Sequence, residues 1–360
     1  LKTQKVKDVI ERIGHQNPEL VKPALGPKEP WAYRNKMQMP VGGTKGNIQM
    51  GFYAMGSHDI VQGTNCPIQD EGNNIIAQAC YQIAKEFDIE PYDEHTGKGV
   101  LRHVIGRIGQ SGWMIILVTA TDHLPHQEKW VEKLTERIPQ VETIVHNVNS
   151  KRTNVILGPK NHILYGEGTI IDHIKDLQFT LSPHSFFQVN PEQTTVLYDQ
   201  ALEYADLKGN ETVIDAYCGT GTISLFLAHK AKHVIGIEIV EPAIINAREN
   251  ARHNGYDNTE FIVADAAIEM PKLYKAGVRP DVIVFDPIRA GCKEEVLTSA
   301  AGMEPKRIVY VSCNPATMAR DIEILTHYGY ELEEVQPVDM FPMTAHVEAV
   351  ALLTRSEATQ

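Results

Sequence analysis

From Leu181 onward the chain alternates short β-branched runs with helical stretches, and no other feature limits its fold so sharply. The runs TVIDAY, HVIGIEIV, EFIVAD, DVIVFD and RIVYVS, each followed by a segment of helical character, predict a doubly wound parallel sheet. Residues 181–360 therefore read as a Rossmann-like α/β domain. The first half has another rhythm. Val6, Val9, Ile10 and Ile13 recur at helical spacing, so residues 1–15 predict a helix that packs on the second domain. A Pro- and Gly-rich connector follows, then Gly-broken strand pieces, a helix near NNIIAQACYQIAKEF, and the runs HVIGRIG, WMIILVTA and ETIVHNVN, which predict an antiparallel sheet. Residues 1–180 are thus expected to form an α+β domain.

Charge is distributed unevenly. The first 180 residues hold 20 Lys+Arg against 20 Asp+Glu and the rest hold 14 against 26, so the second half carries the whole net charge of −12. A neutral half with local basic clusters is compatible with RNA even beside an acidic domain. The cysteines, Cys66, Cys80, Cys218, Cys292 and Cys313, are odd in number and form no CxxC pair, which points to free thiols in a reducing compartment. No apolar run approaches the ~18 residues of a membrane helix, and LKTQKVKDVIERI lacks a signal-peptide pattern. The expected location is the cytoplasm, with no membrane partner and a monomeric state. Because the first residue is Leu rather than Met, a preceding segment is expected.

VIDAYCGTGT is a strand, a turn with Gly219 and Gly221, and a helix start. Glycines there allow a sharp turn and close approach of a ligand. The spacing is not G-x-G-x-x-G and no Walker Lys follows, so the ligand is expected to lack phosphates. Glu238 ends the next strand, near the offset at which an acid meets ribose hydroxyls, and Asp265 ends the third, where it would face an adenine amino group. In this order the features describe an S-adenosyl-L-methionine site. Asp286 ends the fourth strand and points into the same crevice.

Taken alone, Cys313 in YVSCNPAT reads as a small buried hydrophobe. Its position at the carboxyl end of a strand in the cofactor-bearing sheet, just before a helix N-terminus that would favour thiolate, reads as a nucleophile. A thiolate beside a methyl donor suits uracil, whose C5 becomes nucleophilic once C6 has been attacked, and a base must then remove the C5 proton. VDMFPMTAHVEAVALL offers His346 and Glu348, which share a face if they lie on a strand, and the apolar run after Glu348 would raise its pKa.

FFQVN (186–190), DAYCGTGT (215–222), GIEIVEPAIINARENA (236–251), DPIRAGC (286–292), VSCNPAT (311–317) and DMFPMTAHVE (339–348), in this order, resemble the RNA 5-methyluridine methyltransferases, a family that includes 23S ribosomal RNA and tRNA uracil-54 enzymes. YRNK (33–36), LRH (101–103) and NVNSKRTNVILG (147–158) extend the resemblance through the first half. It implies Cys313 as nucleophile, Glu348 as proton-abstracting base, and Gln188, Tyr217, Glu238 and Asp286 as S-adenosylmethionine contacts; Gly219 and Asp265 are added from position. Ile288 stands where the family has a second Pro, and Thr222 where some members have Asn. Many members carry an upstream TRAM domain and a [4Fe-4S] cluster; Cys66 in GTNCPIQ resembles its fourth ligand, so a cluster is expected only in a longer chain, and no metal in this one.

For RNA, the basic and aromatic interleaving suggests Arg34 and Lys36 beside Trp31 and Tyr33, then Lys98, Arg102, His103 and Arg107, then Lys151 and Arg152. Phe187 would stack a flipped base, with Arg289 and His346 nearby. The leading substrate is 23S ribosomal RNA; the alternatives are tRNA uridine-54, an amino-group methylation using DPIR, or an RNA-binding protein with a vestigial cofactor fold.

Overall fold

The parallel sheet predicted for the second half is present in the computed structural model, which describes residues 1–356. The chain begins with α1 (Lys2–Arg12) and then builds β1 (Lys36–Thr44), β2 (Asn47–Tyr53), β3 (Ile60–Gln62), α2 (Glu71–Glu86), β4 (Leu101–Ile108), β5 (Trp113–Thr119), α3 (Gln127–Arg137), β6 (Val141–Val148) and β7 (Lys160–Tyr165). These strands form one sheet in the order β3-β2-β1-β4-β5-β6-β7. The expected antiparallel pairing holds except between β5 and β6, which run parallel through the α3 crossover. β5 is buried along nearly its whole length, so it lacks the polar alternation from which direction could be read.

A hairpin of β8 (Ile170–Ile174) and β9 (Leu177–Leu181) leads to α4 (Pro191–Ala205), β10 (Thr212–Asp215), α5 (Thr222–Ala228), β11 (His233–Glu238), α6 (Glu241–His253), β12 (Thr259–Val263), α7 (Ala266–Lys275) and β13 (Val282–Phe285). α8 (Glu294–Gly302), β14 (Arg307–Ser312), α9 (Pro315–His327), β15 (Tyr330–Val338) and β16 (Glu348–Arg355) follow. The second sheet has the order β12-β11-β10-β13-β14-β16-β15. Its members from β12 to β14 are parallel, and β16 runs against both neighbours. The strand order reverses between β10 and β13, the switch point at which such sheets open a crevice for ligands.

The chain separates into two compact units, but not at residue 180. One holds residues 1–28, 174–178 and 192 onward, and the other holds 29–173 and 179–191. The N-terminal segment belongs with the second sheet because its apolar face is covered there: Val6 and Ile10 of α1 share a core with Met318, Ile322 and Leu325 of α9. Val21 and Leu25 then bridge to Val335 and Val338, lining the open edge of β15. FFQVN stays with the first sheet: Phe187 packs on Phe179 at 5.5 Å between ring centroids, and Asn35 N donates to Val189 O at 2.9 Å. Among the described residues no helix is long and apolar enough to cross a membrane.

Because Ile10 is fully buried, Ile10→Ala should cost about 2–4 kcal/mol in urea unfolding of the unit built on the second sheet, the usual range for such a truncation.

Candidate active site

Strand register brings Asp215 and Glu348 to the carboxyl edge of the second sheet, with Asp286 and Cys313 each one residue past the end of its strand. Asp215, the last residue of β10, pairs with Val284, so Asp286 follows two residues further, just past the end of β13. β13 and β14 are in step through Phe285 and Tyr310. Ser312 faces Ala349 across the antiparallel pair of β14 and β16, and one further step sets Cys313 against Glu348.

Glu348 is 4% exposed. Burial, with the Asp286 carboxylate as a second cause, pushes its carboxyl up to about 8. Asp286 is pushed up to about 7 by burial and then by Asp215. Asp215, wholly buried, rises to about 6 through burial even though Ser224 Oγ donates to its Oδ2 at 2.6 Å. Carboxyl groups in this condition hold or release protons near neutrality, as acid–base chemistry requires.

Cys313 is half-buried, and its thiol is also raised, by burial first, then by Glu348 and Asp286, with Arg289 acting in the opposite sense. This corrects the expectation of a thiolate favoured by the helix N-terminus. α9 does start at Pro315, but the partial charge at a helix end is outweighed by desolvation and two acids.

His346 and Glu348 do not share a strand face. β16 begins only at Glu348, and His346 lies ahead of it, exposed, with its ring edge-on to Phe341 at 6.2 Å. Glu348 loses its water because β16 lies between β14 and β15.

The turn after β10 needs its glycines. Gly219 and Gly221 have φ of +53° and +84°, where other residues are strained. A Cβ on Gly221 would lie 3.1 Å from Ala247 Cβ, so this glycine also seats α6. Around Gly219 the space is open and the backbone can be approached. Glu238 holds the turn, accepting from Gly219 N at 3.2 Å and from Val240 N at 2.9 Å. Tyr217 is half-buried beside it, its phenol raised by burial and by the Cys292 sulfur. Open glycine backbone ringed by carboxylates fits a cationic ligand that offers hydroxyl and amino donors, and repels phosphate. Asp265, after β12, makes two contacts within the protein. Its Oδ1 caps α7 through Ala267 N and its Oδ2 pairs with Lys293, each at 2.9 Å. Both oxygens thus have a protein partner, as do both oxygens of Glu238, and a carboxylate oxygen can accept a second hydrogen bond from a ligand.

The other expected contacts lie in the unit of the first sheet. Gln188 and Phe187 are buried, while Phe186 is 72% exposed, so of the two rings it is the neighbour of Phe187 that faces solvent. Arg102 and His103 are corrected from surface contacts to interior ones. Arg102 Nη1 donates to Asn149 O at 2.6 Å and Lys151 O at 2.7 Å, with its guanidinium 4.2 Å from the centre of the Tyr92 ring. Burial lowers His103 to about 4. Arg34 and Lys36 are half-buried, and burial, then Arg107 and Arg34, bring Lys36 down to about 7. The contacts of Asn314, Thr317, Arg320 and Asp321 with loop 286–292 have no signature in the sequence, although PATMARD contains all but the first of these residues.

A Rossmann-like sheet with an open glycine turn and buried acids at its switch-point edge defines a class, the Rossmann-like methyltransferases. Residues 114–356 match the family described as tRNA (uracil-5-)-methyltransferase. The chain is 53% identical over 354 residues to an uncharacterised RNA methyltransferase of Halalkalibacterium halodurans, covering 98% of this chain and 77% of that protein. It is 49% identical over 360 residues to another of Clostridium acetobutylicum, covering 98% and 78%. Among solved structures it resembles the Pyrococcus abyssi tRNA (uracil-54, C5)-methyltransferase in complex with S-adenosyl-L-homocysteine, with a TM-score of 0.80, 27% identity, and coverage of 98% and 83%. The chain belongs to the tRNA (uracil-5-)-methyltransferase family.

The raised carboxyl of Glu348 makes the site costly at high pH. The unfolded group ionises near the ordinary value of 4.5 while the folded one keeps its proton to about 8, so its contribution is intact below the lower value and is lost as pH rises through the upper. Glu348→Gln should therefore stabilise the protein at pH 8–9 by on the order of 1–3 kcal/mol and leave it unchanged near pH 4.5, read from urea midpoints across pH.

Proposed function

We propose that this protein transfers a methyl group from S-adenosylmethionine to C5 of a uridine in RNA, with Cys313 as nucleophile and Glu348 as base. The observation that carries the reading is that β14 and β16 stay in register to Ser312 and Ala349, which leaves Cys313 and the buried Glu348 at the next step, with Glu348 among the charges acting on the thiol. Tyr217, Gly219, Glu238 and Asp286 would hold the cofactor, and Gln188 is carried over by resemblance. When bound, S-adenosylmethionine supplies the methyl group that the activated carbon takes.

The chain's own residues do the rest. Cys313 loses its proton to a neighbouring carboxylate, and Asp286, titrating to about 7, is suited to take it. The sulfur then bonds to C6 of the uracil, and the displaced electron pair moves to the C4 oxygen as an enolate, which makes C5 nucleophilic. After C5 has gained its methyl group, ionised Glu348 removes the C5 proton. The C5–C6 double bond re-forms and the C6–S bond breaks, returning the thiolate. A base with a pKa near the working pH is efficient for this transfer. Arg289 stabilises the thiolate form.

A uridine in folded RNA must leave its stack first, at a cost of a few kcal/mol. Phe186, exposed in FFQVN, joins Arg34 and Lys36 as a contact proposed for this step. The first substrate to test is 23S ribosomal RNA. A second reading, uridine-54 of tRNA, is supported by the similarity to the Pyrococcus abyssi enzyme.

Transcripts of both RNAs containing 5-fluorouridine, which has no C5 proton to release, should trap the wild-type chain as a denaturation-resistant adduct, and sequencing the trapped RNA names the nucleotide. Cys313→Ala should form none. Glu348→Gln should accumulate adduct on ordinary RNA and turn over about 10²–10⁴-fold more slowly. Methylation by Cys313→Ala at the wild-type rate would overturn the mechanism.

A further inference from the structure

Asp286 and Arg289 sit on loop 286–292, beyond the last paired residue of β13. Strand pairing ends at Phe285, one residue before Asp286, and the far part of the loop, from Arg289 to Cys292, is held by α9 and the residue that caps it. Arg289 O accepts from Asn314 Nδ2 at 2.9 Å and from Thr317 Oγ1 at 3.1 Å, and Arg320 Nη2 donates to Ala290 O at 2.9 Å. Behind these contacts is Asp321, with 0% exposure. Its Oδ1 accepts from Arg320 Nε at 2.9 Å and Nη2 at 2.8 Å. Its Oδ2 accepts from the backbone N of Cys292 at 2.8 Å and from Tyr310 Oη at 2.6 Å.

Tyr310 belongs to β14, the strand that ends beside Cys313. One carboxylate thus joins the loop bearing Asp286, the strand leading to the thiol, and the helix that starts next to it. Gly291 shows how closely the loop is drawn in. Its φ is +79°, and a Cβ there would lie 2.6 Å from Arg320 Nη2 and 2.7 Å from Asp321 Oδ2. Burying a carboxylate is expensive unless every oxygen is satisfied, and an apolar residue would pack α9 equally well. What an apolar residue could not do is hold these donors together.

We propose that Asp321 is a positioning residue: it sets Asp286 and Arg289 relative to Cys313 while touching neither RNA nor cofactor. The inference rests on the methyl-transfer reading above. Its mechanism is geometric, since small displacements of groups around a reacting atom lower the rate of the chemical step far more than they lower affinity.

Asp321→Asn keeps the size of the side chain but turns an NH₂ toward a donor. Its kcat for RNA methylation should fall about 10- to 100-fold, with KM for RNA and Kd for S-adenosylmethionine changed by less than about threefold. Arg320→Gln, at the half-exposed end of the clamp, leaves the buried carboxylate in place and should lower kcat about tenfold with the same split. Unchanged kcat in both variants overturns the inference. So does a fall in kcat matched by an equal fall in cofactor-binding sites per chain, which would report lost folded protein. Adduct formation on 5-fluorouridine RNA separates the two levels: an unchanged rate in Asp321→Asn overturns the positioning role alone, whereas no adduct from the wild type overturns the methyl-transfer reading and the inference together.

Discussion

β16 enters the second sheet between β14 and β15, running against both, and so takes the first carboxyl of the strand out of water. A strand parallel to β14 would bring its last residues to the crevice; an antiparallel one brings its first. That reversal is why an acid at the start of β16 meets a thiol at the end of an earlier strand. The glycine turn, loop 286–292 and α9 are all arranged around the same edge.

The buried acids act on each other as well as on the sulfur. Asp215 raises Asp286, and Asp286 raises Glu348 and Cys313. Such groups release protons as a set, so the charge of the crevice depends on the occupancy of all of them rather than on any single residue.

The α/β half was legible because alternating runs and helices specify a parallel sheet almost by themselves, and the glycine turn, Asp286, Cys313 and Glu348 could be picked out as ends of its strands. What sequence could not supply was the outcome of competing influences. The helix end and the surrounding carboxylates pull the Cys313 thiol in opposite directions, and only burial decides between them. His346 and Glu348 look equivalent until the start of β16 separates them. Arg102 reads as a surface cation, and its three-dimensional partners are backbone carbonyls of residues far along the chain. Asp265 reads as the end of a strand, and its pairing with Lys293, far along the chain, has no signature in the sequence. α1 was legible as a helix, but its place against α9 follows from contacts between segments at opposite ends of the sequence.

Lys2 reaches Asp339 at 2.5 Å and the carbonyl of Phe341 at 2.9 Å, just ahead of the turn into β16. α1 therefore braces the segment that delivers the strand carrying Glu348. During synthesis on a ribosome, α1 must wait for more than three hundred residues before it finds this partner, and β14 keeps an unpaired edge until β16 emerges. A nascent chain that has reached α9 has its glycine turn and Cys313 but not Glu348. The carboxyl edge of the second sheet is completed only when β16 slots into place between β14 and β15, so its last member arrives from the end of the chain.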